Sequence, residues 1–160
     1  MILLANGCSW TWGGGLEPYV QVGKKRDQLV WPYHLGNLLS ATQTVNLAKG
    51  CGSNQRIVRT TRDWIMSQNE ETLSNTIAVI QWTEPSRYEF YHDPSGEYDP
   101  NKWMLCKIDC VSRDIELDKE TIQYHEKLNS QRYITYTDIE GMYRLLEHYE
   151  SLDNIFKNNI

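Results

Sequence analysis

Apolar residues fall in short unbroken runs in the first half of the chain and at helical spacing in the second. Ile2-Leu3-Leu4-Ala5, closed by Asn6, is apolar on both faces, as a central strand of a parallel sheet has to be when helices cover both of its sides. Residues 13–30 then read as a polar loop with Gly13, Gly14, Gly15, Pro18 and Gly23. From Trp31 the positions Trp31, Leu35, Leu38 and Leu39 recur at helical spacing, with Pro32 tolerated in the first turn, which predicts a helix over 32–41. Thr44-Val45-Asn46-Leu47 predicts a second short strand, and the helix after it carries Ile57, Val58, Thr61, Trp64 and Ile65, with Ser53 or Asn54 as its cap. Thr76 to Trp82 is β-branched and continuous, the clearest strand of all.

Residues 88–118 are rich in Tyr, Asp and Pro, and Pro94-Ser95-Gly96 marks a turn. They predict an irregular excursion with a hairpin across the carboxyl edge of the sheet. Two helices follow near 119–132 and 138–158; in the second, Ile139, Met142, Tyr143, Leu145, Leu146, Tyr149, Leu152, Ile155 and Phe156 make one broad apolar stripe. Strands alternating with helices predict parallel βαβ units with right-handed crossovers, hence an α/β fold with a small parallel sheet. Three strands are few for this length, and the chain stops at Asn158-Asn159-Ile160 where a fourth is expected, so an open sheet edge and a truncated carboxyl side are expected.

A chain of 160 residues fits a single domain, and at that size roughly two-thirds of the unfolded surface is buried on folding. Lys and Arg number 16 against 21 Asp and Glu, a net charge of −5, and the basic residues cluster only at Lys24-Lys25-Arg26. That balance argues against nucleic acid as a partner, since phosphate neutralisation needs a basic groove. The amino terminus lacks a basic segment followed by an apolar one, and no apolar run approaches the ~20 residues that span a bilayer, so a cytoplasmic protein without a membrane partner is expected. Cys8, Cys51, Cys106 and Cys110 then read as reduced thiols. The Cys106-x3-Cys110 spacing lacks a second ligand pair, and neither a metal nor a cofactor is expected.

Chemistry concentrates at Asn6-Gly7-Cys8-Ser9-Trp10-Thr11-Trp12-Gly13-Gly14-Gly15, directly behind the first strand. In an open α/β sheet the loop at the carboxyl end of a strand is where ligands meet the protein, so a serine there is a candidate nucleophile. Glycines around it let backbone N–H groups turn toward a substrate oxygen. The plainer alternatives are that Ser9 caps a turn, that Gly50 and Gly52 only form one, and that Trp10, Trp12, Trp31, Trp82 and Trp103 are core or pocket wall. Arg87 with Glu89 reads as a surface or loop-anchoring ion pair, and Tyr88, Tyr91 and Tyr98 as a lid or an interface.

Together these strand-end segments resemble the SGNH/GDSL hydrolase family, and more closely its phage- and bacterium-encoded members of unknown substrate. The resemblance rests on residues 6–13, on Trp31-Pro32-Tyr33-His34-Leu35, on Asn46-Leu47-Ala48-Lys49-Gly50-Cys51-Gly52-Ser53-Asn54-Gln55-Arg56-Ile57, and on Val79 to Glu89. It covers residues 1–90 and implies a three-layer α/β/α, flavodoxin-like fold. It implies that Ser9 is the nucleophile and that the N–H groups of Ser9 and Gly50 hold the oxyanion, where each donor is worth ~3 kcal/mol of barrier. The family's third block reads Gly-x-Asn-Asp, whereas Gln81-Trp82-Thr83-Glu84 has no asparagine, leaving Thr83 or Asn54 as substitutes. Cys8 stands where an aspartate is usual, and the final Asp-x-x-His block is absent. A serine needs a base; of His34, His92, His125 and His148, His92 lies in the loop able to reach over the sheet edge.

The leading expectation is therefore a serine esterase or acyl hydrolase acting on a small acylated substrate, its base supplied by His92, a missing segment or a partner chain. The rival is a catalytically inactive binding or assembly protein on the same scaffold, gripping a protein partner or a second copy through its sheet edge or tyrosine-rich loop. Anion or nucleotide sensing at the glycine-rich loops ranks behind both, because no GK[ST] setting is present.

Overall fold

The computed structural model describes residues 1–16, 25–91, 103–107, 110–111, 119–135 and 138–159. Strand β1 (Ile2–Asn6) lies between β2 (Gln43–Asn46) and β3 (Thr76–Ile80), parallel to both, in the order β2-β1-β3. Ile2 sits opposite Gln43 on one side and Thr76 on the other, and Asn6 faces Ile80. Leu3, Leu4 and Ala5 are fully buried, as the unbroken apolar run requires. The fold is α/β with a small parallel sheet, as the sequence predicts.

The strand order decides where the helices go. The chain leaves β1 to one side to form β2, then crosses over β1 to form β3; two right-handed crossovers in opposite directions place their helices on opposite faces. Helix α2 (Trp31–Leu38) covers one face, with Gly36 seated against Thr44 and Leu3. Helix α3 (Asn54–Met66) covers the other, where Asn6 Nδ2 donates to the Ile57 carbonyl at 3.2 Å and to the hydroxyls of Thr60 and Thr61 at 2.9 Å each. Ile57, Thr61 and Ile65, on one side of α3, are buried. Ser53 is its N-cap, accepting from Arg56 N at 3.1 Å. A short helix α4 (Glu70–Ser74), capped by Asn69, leads into β3; it and the four-residue α1 (Ser9–Trp12) are absent from the sequence expectation.

Past β3 the chain builds a second sheet, an antiparallel meander of β4 (Tyr88–Tyr91), β5 (Trp103–Lys107) and β6 (Cys110–Val111). The antiparallel pairing of β4 with β5 is the one that a hairpin requires, while the turn expected at Pro94-Ser95-Gly96 lies outside the described residues. The meander is tied to α3 by Arg59, whose Nε and Nη2 each donate to the Glu89 carboxylate at 2.8 Å. Glu89 thus pairs with Arg59 and not with Arg87, correcting the expected Arg87–Glu89 pair, because the outward loop turns Arg87 back toward Glu84. Helices α5 (Lys119–Thr135) and α6 (Asp138–Asn159) close the described chain, and α6 packs on α3. The stripe expected on α6 is split: Leu152 is buried, while Ile139, Met142, Tyr143, Leu146 and Tyr149 are exposed. No helix among the described residues is long and apolar enough to cross a membrane.

Candidate functional site at the strand ends

An order of β2-β1-β3 makes a topological switch point between β1 and β3, because the chain leaves the central strand in opposite directions on either side. Ligands of open α/β sheets bind in the crevice at that point, outside the carboxyl ends of the strands. The loops after β1 and β3 carry Cys8-Ser9 and Thr83 there.

The first loop is held tightly. Asn6 Oδ1 accepts from Gly7 N at 2.8 Å, so the residue that anchors β1 to α3 also fixes the turn out of the strand. Ser9 begins α1, and its carbonyl accepts from Gly13 N at 2.8 Å and Gly14 N at 2.7 Å. Gly13 closes that turn at φ 91°, a left-handed conformation that a side chain resists. Thr11, on the next turn of the same segment, is fully buried and donates to Gln81 Oε1, joining the first loop to the chain just past β3. Trp31 Nε1 donates to the same hydroxyl at 3.3 Å.

The second loop folds down onto the first. Leu47 N donates to the Ala5 carbonyl at 2.9 Å, and Asn46 Nδ2 donates to the Thr11 carbonyl at 3.0 Å. Arg56 Nη1 donates back to the Leu47 carbonyl at 2.8 Å. Gly50 lies against the Trp12 ring, where a Cβ would stand 3.3 Å from Cε3. At Gly52 a Cβ would meet the Gly7 carbonyl at 3.2 Å and Cys8 Cα at 3.7 Å, so the approach of the second loop to the first depends on that glycine. Gly52, for which turn formation was the plainer alternative, touches the Cys8-Ser9 segment; Gly50 stands one step away, beside Trp12.

Thr83 and Asn54 meet. Asn54 Nδ2 donates to the Thr83 carbonyl at 3.1 Å, and its Oδ1 accepts from Thr83 N at 2.8 Å. Asn54 is almost fully buried, with 3 % of its surface exposed, so its amide acts as a two-pronged clamp on the third loop. The clamp aims the Thr83 hydroxyl at the Cys8 thiol.

Cys8 is the electrostatic centre of the three loops. Burial alone would push its thiol up, but hydrogen bonds from the Thr83 hydroxyl, the Trp10 N–H and the Ser9 hydroxyl, together with the charge of Arg87, outweigh burial and hold it below the ordinary value of 9.0. In the sequence Cys8 stands out only as a reduced thiol in the place where an aspartate is usual. Its signals were there, a cysteine beside the candidate nucleophile and an arginine four residues after Thr83, but the contact between them exists only once the strands align.

To one side of this centre, toward β2 and α2, Trp12, Val30, Tyr33, Asn46 and Ala48 line a cavity of about 360 Å³ whose wall includes neither Cys8, Ser9 nor Thr83. Arg26 roofs it, stacked 4.0 Å above the Trp12 ring. Trp10, expected as core or pocket wall, is 77 % exposed, since α1 turns it outward. No hydrogen bond links Ser9 to a histidine among the described residues. His34 is exposed on α2, His125 stacks on Phe90 with ring centroids 3.6 Å apart, and His148 lines a groove between α6 and Gln55. Burial pushes the His148 imidazole down, with Glu147 opposing and Arg144 reinforcing the shift. His92, the histidine the sequence places nearest the rim, lies outside the described residues.

A profile described as a family of unknown function (DUF6071) matches residues 16–157. The match includes Gly50, Asn54, Thr83 and Arg87 and starts beyond Ser9. Neither the curated proteins nor the solved structures return a match to the chain.

Proposed function

We propose that this chain, which belongs to the DUF6071 family, is an SGNH-like acyl hydrolase in which Ser9 attacks the carbonyl carbon of a small ester. The observation that carries the reading is the convergence of three strand-end loops on residues 8 and 9: Gly52 against Cys8 from the second, the Thr83 hydroxyl against the Cys8 thiol from the third. Ser9 Oγ would attack and the ester C–O bond break to give the acyl-enzyme, the serine proton passing through a base to the departing alcohol, after which water, giving its proton to the same base, would release the acid and restore Ser9. The N–H groups of Ser9 and Gly50 are the oxyanion donors in this reading, Asn54 serves by clamping Thr83, and the cavity beside Trp12 takes the acyl or leaving group. His92, or a residue from a second chain, is the base.

The test is turnover of a p-nitrophenyl acyl ester by the full chain and by Ser9→Ala. Saturable hydrolysis that falls at least 100-fold in the variant supports the assignment; equal rates remove Ser9 from the chemistry. A second reading, a non-catalytic assembly protein on the same scaffold, is favoured by the exposed row Ile139, Met142, Tyr143, Leu146 and Tyr149 on α6. Sedimentation across a concentration series checks it, because a monomer at every concentration argues against self-assembly.

A further inference from the structure

Helix α6 packs on α3 and buries Gly141 and Leu152. Turned away from that contact, Ile139, Met142, Tyr143, Leu146 and Tyr149 are between 52 and 71 % exposed. Single exposed apolar residues are ordinary, but these five adjoin along three turns of one helix. Four of them, Ile139, Met142, Leu146 and Tyr149, follow the three-four-three spacing that keeps a row facing a second helix in a coiled coil. Charged side chains do not interrupt the row. Glu140, Arg144 and Glu147 run along its flank, the first two as an ion pair, and the outward face turns charged at Glu150, Asp153 and Lys157.

We infer that this row is covered by the same row of a second copy, in an antiparallel pair of α6 helices about a two-fold axis level with Arg144. A large side chain has roughly 200 Å² to lose. Five at these exposures offer on the order of 600 Å² per protomer and about 1,200 Å² for the pair, the lower end of what a specific interface buries. A two-fold contact needs a face that complements itself, and this one does: Ile139 meets the partner's Tyr149, and Met142 meets the partner's Leu146. A parallel pair would set Glu150 and Asp153 each against its own copy and align the two helix dipoles. The antiparallel pair opposes the dipoles and carries those charges past the end of the partner's row. The inference takes the α6 row from the assembly reading and holds whether or not Ser9 turns over an ester.

The test is sedimentation equilibrium of the full chain and of Leu146→Asp, joined to cysteine cross-linking mapped by peptide mass spectrometry. The wild type should rise reversibly with concentration from the monomer mass of 18.8 kDa to twice that. Leu146→Asp should weaken the association by at least about tenfold, as loss of a central anchor does. Antiparallel order places the two copies of residue 139 about 15 Å apart along the helices and each beside residue 149 of the other chain. A mixture of Ile139→Cys and Tyr149→Cys chains, oxidised with copper phenanthroline, should therefore give the disulfide between positions 139 and 149, and Ile139→Cys alone should give none between its two copies. A wild type that stays monomeric at every concentration overturns the pair and the assembly reading together. A dimer of undiminished strength in Leu146→Asp overturns the α6 seam and leaves self-assembly standing, and a disulfide joining position 139 to itself overturns the antiparallel order. Should Leu146→Asp fail to fold, the wild-type sedimentation and the cysteine pair decide. Ester turnover that depends on Ser9 leaves all these outcomes unchanged, so the hydrolase reading stands or falls separately.

Discussion

Replacing Asn54 with alanine removes both hydrogen bonds that hold the third loop, Nδ2 to the Thr83 carbonyl at 3.1 Å and Thr83 N to Oδ1 at 2.8 Å. Asn54 is 3 % exposed, so water does not replace it freely. Leaving a buried backbone donor or acceptor unpaired costs ~1–3 kcal/mol. Thr83 is half-buried and recovers part of its hydration, which puts the loss for Asn54→Ala at ~2–4 kcal/mol. Asn54→Asp separates the two prongs: it keeps an acceptor for Thr83 N, sets a carboxylate against the Thr83 carbonyl, and gains ~0.3–1 kcal/mol from an anion in the first turn of α3. Urea unfolding monitored by tryptophan fluorescence reads the difference as a shift in midpoint at constant slope. Ester turnover should fall in both variants, and further in the alanine, since a loosened Thr83 no longer supports the Cys8-Ser9 segment. A loss below ~1 kcal/mol for Asn54→Ala, or equal losses for Ala and Asp, would refute the clamp.

Three further outcomes follow from the same packing. Glu89→Gln leaves Arg59 charged and nearly buried, at side-chain exposures of 14 % and 3 % for the pair, so a loss of ~3–5 kcal/mol is expected in urea unfolding, with Arg59→Met/Glu89→Leu recovering most of it. Thr83→Val removes a hydroxyl that holds the Cys8 thiol down, so the pH midpoint of Cys8 alkylation, read by peptide mass spectrometry, should move up. Because the native thiol loses its proton before the unfolded one, wild-type stability should rise with pH between the depressed native pKa and the ordinary value of 9.0 and then level off; Thr83→Val should narrow that window. His148 has the opposite consequence on the acid side: its native imidazole resists a proton that the unfolded chain accepts near pH 6.5, so stability should fall as pH drops through and below that value, and His148→Gln should flatten the fall in acid unfolding curves.

The strands were legible because β1 is a buried apolar run and β3 an unbroken β-branched one, each bounded by polar residues, and β1 is flanked on both edges as its two apolar faces demand. Ser53 as a cap and the face of α3 were legible for the same local reason, a serine ahead of a 3.6-residue period. What escaped were the contacts made across long separations. Arg59 and Glu89 stand thirty residues apart, so along the sequence Glu89 pairs with its neighbour Arg87 instead. Asn54 looked like a donor for a substrate because nothing local showed that its amide is occupied by Thr83, twenty-nine residues on. Helix α1 is four residues long and offers no period to detect. The stripe on α6 was read whole because periodicity reports an amphipathic face without saying which part of it finds a neighbour. At the site, the position of Ser9 was visible from the strand ahead of it, but the grouping of Cys8, Thr83 and Arg87 depends on the strand order, which spacing along a single chain does not encode.

The central claim, that residue nine is an activated nucleophile in a pocket built by three loops, is tested most directly by treating the folded protein with a fluorophosphonate and mapping the adduct by mass spectrometry. The account predicts one adduct per chain, on Ser9, lost in Ser9→Ala and slowed in Asn54→Ala. An unlabelled Ser9, under conditions that fully label a control serine esterase, would contradict it.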